Sequence, residues 1–230
     1  MSATPPTNTK RVKVWDLPLR LFHWLLLVAV STAFYAIWTD NIELHAKAGY
    51  CVAILLIFRI IWGFIGGKHA RFASFIKGPS AIAAYLAKAK SGKHDPSDTG
   101  HNPLGALSVI ALLGALLIQV VTGLFNHNDD AIPEFAAPLY RFVSNALAGD
   151  LAEIHEAMQV VILTLIGLHV AAILFYRFFK RDNLVKPMIT GSKDIPAEAA
   201  TPDAEGGNAL LGLVALAIGV AIMWYITTQL

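Results

Sequence analysis

The sequence is short of charge and nearly without cysteine. Only 15% of its 230 residues are Asp, Glu, Lys or Arg, against about a quarter in an ordinary soluble domain. Cys51 is the single cysteine, which excludes an internal disulfide and any Cys-rich metal or iron–sulfur site. It lies in an apolar run and reads as a small core- or lipid-facing residue. The formal net charge of +2 is too small for a nucleic-acid-binding surface. The cations also stand in blocks beside apolar runs, which is a membrane pattern rather than a phosphate-reading one. There is no internal repeat. What the chain has in abundance is apolar side chains, 56% of the total, with a mean hydropathy of +0.56.

A membrane-spanning helix needs about 20 mostly apolar residues. Leu21–Trp38, Ala48–Gly66, Leu104–Phe125, Met158–Tyr176 and Ala209–Ile226 meet that requirement. Basic residues ahead of the first run raise the possibility of a signal peptide. The run is too long for one, and it holds a histidine and a tryptophan near its start, so we read it as a retained span. The expected fold is all-α: a transmembrane four-helix bundle plus one additional C-terminal transmembrane helix. Residues 1–11 form a cytoplasmic tail, 12–191 the four-span core, 192–208 a flexible linker and 209–230 the extra helix. Two surface helices are expected, an amphipathic one over Pro79–Lys93 and a second around Pro138–Ala146.

Orientation follows from the cations. Lys10, Arg11, Lys13 and Arg20 precede span one. Lys68, Arg71, Lys77, Lys88, Lys90 and Lys93 follow span two, and Arg177, Lys180, Arg181 and Lys186 follow span four. The alternate loops carry Asp40, Glu43, Asp129, Asp130, Glu134, Asp150 and Glu153, with Lys47 and Arg141 as exceptions. All three basic regions share one side if four spans alternate, which places the N-terminus in the cytoplasm.

Four of the eight histidines sit at or inside span ends: His23, His45, His155 and His169. An imidazole in hydrocarbon is costly unless it binds something. Taken singly, each could be an interfacial residue bonded to a carbonyl. Their spacing argues for more. His155 and His169 lie 14 residues apart (169 − 155), so they project from nearly one face at depths about 21 Å apart. His45 matches His155 in depth near the outer boundary, and His23 matches His169 near the cytoplasm. Two transverse imidazole pairs without carboxylate or thiolate neighbours suit six-coordinate haem iron, whereas zinc needs its ligands at one depth. Gly49, one turn from His45, and Gly63, one turn from Arg59, leave room for a flat ring, as does Gly167 near His169. Arg59 shares the face of His45 at the inner depth. It is either a partner of haem propionates or an arginine snorkelling to the surface. Gln119 and Thr122 in span three are either interhelical hydrogen-bonding groups or a quinone contact. His69, His94, His101 and His127 read as loop residues in solvent, with His101 near enough to span three to touch the inner haem edge or a quinone headgroup.

The local sequences around these histidines resemble the bacterial cytochrome b561 family, which includes the b-type cytochrome subunits of nickel–iron hydrogenases. Val14-Trp15-Asp16-Leu17-Pro18-Leu19-Arg20-Leu21-Phe22-His23-Trp24 is similar to the family's opening. His45-Ala46-Lys47-Ala48-Gly49-Tyr50 resembles the entry to its second span, and Phe58-Arg59-Ile60-Ile61-Trp62-Gly63-Phe64 the exit. Ala70-Arg71-Phe72, Gly100-His101-Asn102-Pro103-Leu104-Gly105, Thr122-Gly123-Leu124-Phe125 and Asn183-Leu184-Val185-Lys186-Pro187-Met188 continue the likeness over about residues 12–191. The resemblance implies two haems b held by histidines of spans one, two and four, which carries over to His23, His45, His155 and His169. The fifth span and the outer His127 have no counterpart in that pattern.

The function expected is electron transfer between a periplasmic redox partner (a c-type cytochrome, a hydrogenase-like protein or another) and the membrane quinone pool. The competing readings are a stand-alone superoxide:quinone oxidoreductase and a non-redox membrane anchor. The few cations among the outer acids count against the first of these.

Overall fold

The computed structural model describes residues 9–90, 100, 102–128, 135–197 and 203–229. In chain order these form β1 (Thr9–Lys13), α1 (Leu17–Trp38), α2 (Ile42–Ile65), the single-turn α3 (Phe72–Phe75) and α4 (Pro79–Lys90). Then come α5 (Pro103–Gly123), β2 (His127–Asn128), β3 (Phe135–Ala136), α6 (Asn145–Phe178), α7 (Val185–Thr190), β4 (Ser192–Pro196) and α8 (Ala209–Thr228). Five of the helices, α1, α2, α5, α6 and α8, are long and apolar enough to cross a membrane. The strands are two short antiparallel pairs outside those spans.

Each of the five long helices opens on a short polar side chain that accepts a hydrogen bond from its first turn. Asp16, Asn41, Asn102, Ser144 and Asn208 fill this position, and Pro18 and Pro103 stand in the first turns of α1 and α5. Such caps satisfy amide donors that the helix itself leaves open, and proline fits there because its missing N–H is not needed.

The helix α2 is the centre of the bundle, packing on α1, α5 and α8. Leu55, Phe58 and Trp62 on one face join Leu19, Phe22 and Ala215 of α1 and α8. Val52 and Leu56 on a neighbouring face meet Ala115, Leu116 and Ile162 of α5 and α6. Outward faces remain apolar and exposed, as at Val28 (62%), Phe64 (71%), Leu168 (63%) and Phe178 (70%). A surface of that kind is stable only against lipid. Cys51 belongs to it as a free, exposed thiol.

The fifth span is built into this bundle. It buries Gly212, Ala215, Gly219 and Met223, a stripe recurring every three or four residues that brings its backbone close to α2. A Cβ at Gly219 would lie 2.9 Å from the backbone oxygen of Ile54, which has nowhere to move. Gly219→Leu is therefore expected to cost about 1–3 kcal/mol of stability and lower the thermal midpoint in detergent. Val220→Leu, on the exposed side, is expected to leave it unchanged.

Two sequence expectations are corrected. The segment 192–208 is not a plain linker: Ser192–Pro196 pairs with Thr9–Lys13, Thr9 opposite Pro196 and Lys13 opposite Ser192. Beyond it, Ala204 N–H donates to Lys13 O at 3.0 Å, and Lys68 N–H donates to Glu205 O at 2.9 Å. The tail before α1, the loop after α2 and the segment after α6 therefore share one side, as four alternating spans require. Lys186 sits 2.8 Å from Asp194 and holds that exposed carboxyl below its usual range. The surface helix expected over Pro138–Ala146 is only a 3-10 turn at Tyr140–Phe142. Val143 is extended (φ −127°, ψ 160°) and Ser144 caps α6, so the helix that follows is the span itself, 34 residues long. The amphipathic α4 forms as expected, ending at Lys90.

Candidate functional site

His45, Gly49, Val52, Leu56, Arg59 and Gly63 follow one another along α2 at alternating four- and three-residue steps, so they form a single stripe. The His45 end of that stripe faces α5 and α6 across a cavity of about 560 Å³, walled by Phe34, Val52, Leu116, Val120 and Ile162 among others. This is the size of a large cofactor pocket, about 300–1,000 Å³. His45 and His155 both line it. Their ring centroids are 6.1 Å apart with planes at 81°. One metal ion accepting a nitrogen from each ring at about 2.0–2.1 Å would set the centroids about 6 Å apart.

Carbonyls orient both imidazoles. The Nδ1 of His45 lies 2.9 Å from Ala33 O, and that of His155 lies 2.9 Å from Gln119 O. An N–H donated from Nδ1 leaves Nε2 with the lone pair in each ring, the form a metal requires. Gly49 meets open space beside the pair.

His23 of α1 and His169 of α6 lie close enough to interact electrostatically. Trp24 packs edge-on against His23 with centroids at 5.1 Å. The Nδ1 of His23 is buried with no hydrogen-bond partner among the described residues, and Gly167 borders open space. Arg59 does not snorkel: it is 2% exposed. Its guanidinium lies 4.7 Å from the centroid of Phe72 and 6.0 Å from that of Phe75, and its Nη1 has no hydrogen-bond partner among the described residues. A buried cation with an unused donor is costly unless an anionic group completes it.

Other expected residues fall differently. Gly63 does make room for a flat ring, but the ring is Phe72, whose Cε2 would lie 2.0 Å from an added Cβ. Gln119 makes an interhelical bond, its Nε2 donating to Nε2 of His155 at 3.0 Å. Thr122 Oγ1 donates to Ile118 O at 2.8 Å. His127 is not simply solvated: it lines the same cavity as His45 and His155, stacks on Tyr140 at 4.1 Å and approaches Phe135 O with Nδ1 at 3.2 Å. His69 is half-buried and packs edge-on against Trp15 at 6.0 Å, and burial, then the Lys68 charge, holds its imidazole below the usual range. His94 and His101 lie outside the described residues.

Sequence reasoning passed over Asp16. Its carboxylate accepts from Leu19 N at 2.9 Å, Trp62 Nε1 at 3.3 Å, Gly67 N at 3.1 Å and Gly207 N at 3.3 Å. One side chain thus fastens the start of α1, the end of α2 and the approach to α8. Its position just ahead of Pro18 signals the cap, but nothing local signals the other donors.

Five apolar helices, four of which line a histidine-bearing cavity, define a polytopic helical membrane protein with a cofactor-sized interior site. The sequence profile of prokaryotic cytochrome b561 matches residues 14–191, and the chain belongs to that family. It is therefore a membrane b-type cytochrome of electron transfer. Its curated relatives include the probable Ni/Fe-hydrogenase 1 B-type cytochrome subunit of Escherichia coli K12, 24% identical over 213 positions, covering 77% of this chain and 88% of the relative. The probable Ni/Fe-hydrogenase B-type cytochrome subunit of Rhizobium leguminosarum is 22% identical over 214 positions, covering 79% and 88%. That of Azotobacter vinelandii is 30% identical over 139 positions, covering 47% and 57%. The residues present fit haem b, with facing imidazoles whose Nε2 atoms carry lone pairs, a cavity of suitable volume and a buried arginine whose Nη1 has no hydrogen-bond partner among the described residues.

Proposed function

We propose that this cytochrome holds two haems b, His23 with His169 on the cytoplasmic side and His45 with His155 on the outer side. In that reading it passes electrons between a periplasmic redox partner and the membrane quinone pool. The observation that carries the reading is the His45–His155 pair, 6.1 Å apart across the outer cavity. Haem b when bound supplies a one-electron iron couple; the protein supplies position and environment. Ala33 O and Gln119 O hold the two outer imidazoles in their metal-binding tautomer. The apolar walls exclude water, which strengthens every charge interaction inside. Arg59 places a positive charge where the propionates of the inner haem would end, stabilising the reduced state.

The blocks of cations on one side support a chain in the bacterial inner membrane with its N-terminus in the cytoplasm. The names of the relatives support a hydrogenase-like partner, with a c-type cytochrome as the other candidate. Glu153 and Glu156, exposed at the rim of the outer cavity, repel anions, which favours exchange with a protein over oxidation of superoxide.

A potentiometric titration of the purified protein tests this. Two one-electron components are expected, and Arg59→Met is expected to lower the potential of the inner one alone. A single component, or a shift in neither, would contradict the assignment.

A further inference from the structure

The surroundings of His155 in the outer site are shaped by α5, a helix that carries no ligand. At the outer end of α5, a single residue engages both nitrogens of His155. The Gln119 backbone oxygen lies 2.9 Å from Nδ1, and its side-chain Nε2 lies 3.0 Å from Nε2. Thr122 Oγ1, 3.3 Å from Nδ1, accepts a share of the same N–H. Gly123 makes this approach feasible, because an added Cβ would lie 2.8 Å from His155 Cε1 and 3.1 Å from Nδ1. Gln119 Oε1 is buried with no hydrogen-bond partner among the described residues, and Gln119 and Gly123 both line the outer cavity.

We infer that Gln119 and Gly123 are positioning residues for the outer haem, an inference that rests on reading His45 and His155 as its ligands. The two halves of Gln119 act in opposite senses. Its carbonyl fixes the tautomer and raises the basicity of Nε2, favouring metal binding. Its carboxamide, 3.0 Å from Nε2, competes with iron for that lone pair and so disfavours metal binding. Gly123 keeps the ring within reach of the carbonyl and so sets the plane of the imidazole, 81° from that of His45. A side chain there rotates or displaces the ring.

The inference is tested on holoprotein in detergent by two measurements. One is the rate of haem transfer to a large excess of haem-free myoglobin. The other is electron paramagnetic resonance of the oxidised protein, whose anisotropy for a bis-imidazole haem follows the angle between the two ring planes. Gln119→Leu removes the carboxamide and keeps the carbonyl. One lost competing hydrogen bond corresponds to outer-haem transfer slowed about two- to tenfold, with the resonance unchanged. Gly123→Ala is expected to speed outer-haem transfer and alter the anisotropy of that haem. The inner haem, unchanged in both variants, shows that the fold is kept; if Gly123→Ala loses both haems, Thr122→Val takes its place, with a shift in the outer haem's potential expected and reversed by Thr122→Ser. Wild-type transfer in Gln119→Leu, or a wild-type outer haem in the Gly123 or Thr122 variant, overturns the inference if His155→Ala still removes that haem. Retention of both haems in His155→Ala brings down the ligand assignment instead.

Discussion

Replacing His155 with alanine is expected to remove the outer haem and leave the inner one in place. The two imidazoles of the outer site come from different helices, α2 and α6, and face each other across the cavity. Among the described residues no group of three or more His, Cys, Asp and Glu side chains is arranged to hold a metal ion. On the proposed assignment, loss of one imidazole would leave the haem with a single protein ligand. His45→Ala is expected to reproduce the result, whereas His23→Ala and His169→Ala remove the other haem. The high-potential and low-potential components of a redox titration identify which haem is gone, since the members of a pair must eliminate the same component. If His155→Ala and His23→Ala eliminate the same one, the pairing proposed here is wrong.

The second large effect is expected at Asp16. Asp16→Ala removes the cap of α1, worth about 0.5–2 kcal/mol. It also strips the acceptor from Trp62 Nε1, on a side chain that is 0% exposed, and a buried donor left unpaired costs about 1–3 kcal/mol. The Gly67 and Gly207 amides lose the same carboxylate. The combined loss of a few kcal/mol should appear as a large fall in thermal midpoint in detergent. It should also bring proteolytic cleavage ahead of α8, because that helix reaches the bundle through Gly207. Asp16→Asn, which keeps one acceptor oxygen, should fall between the two. An alanine variant that melts with the wild type would show that these bonds do not hold the end of the bundle together.

The parts of this structure legible in the sequence are those governed by local periodicity and burial. A span needs only a run of apolar residues, and the five runs correspond to the five long helices. His45 and His155 were legible as a pair because intramembrane imidazoles are few, and the structure sets the two across one cavity. The stripe carrying His45, Gly49 and Arg59 follows from the helical repeat. What escaped depends on contacts distant in sequence. Gly67 and Gly207 reach Asp16 from 51 and 191 residues away, and no pattern around Asp16 announces them. The β1–β4 pairing joins two polar segments at opposite ends of the core, whose composition reads as tail and linker. Gly63 was recognised as making room for a ring, but that the ring is Phe72 depends on how α3 folds back over α2. The turn around Tyr140 was misread because the residues that stop it, an extended Val143 and a capping Ser144, are ordinary in composition. Gln119 was legible as an interhelical bonding group; that its carbonyl and carboxamide both address His155 required the positions of α5 and α6.

The most direct test of the whole account is the haem content of the purified chain, measured as the pyridine haemochrome against protein concentration. Two haems b per chain, both reducible, is the result this arrangement of four histidines predicts. A colourless protein, or one haem per chain in fully loaded preparations, would contradict it.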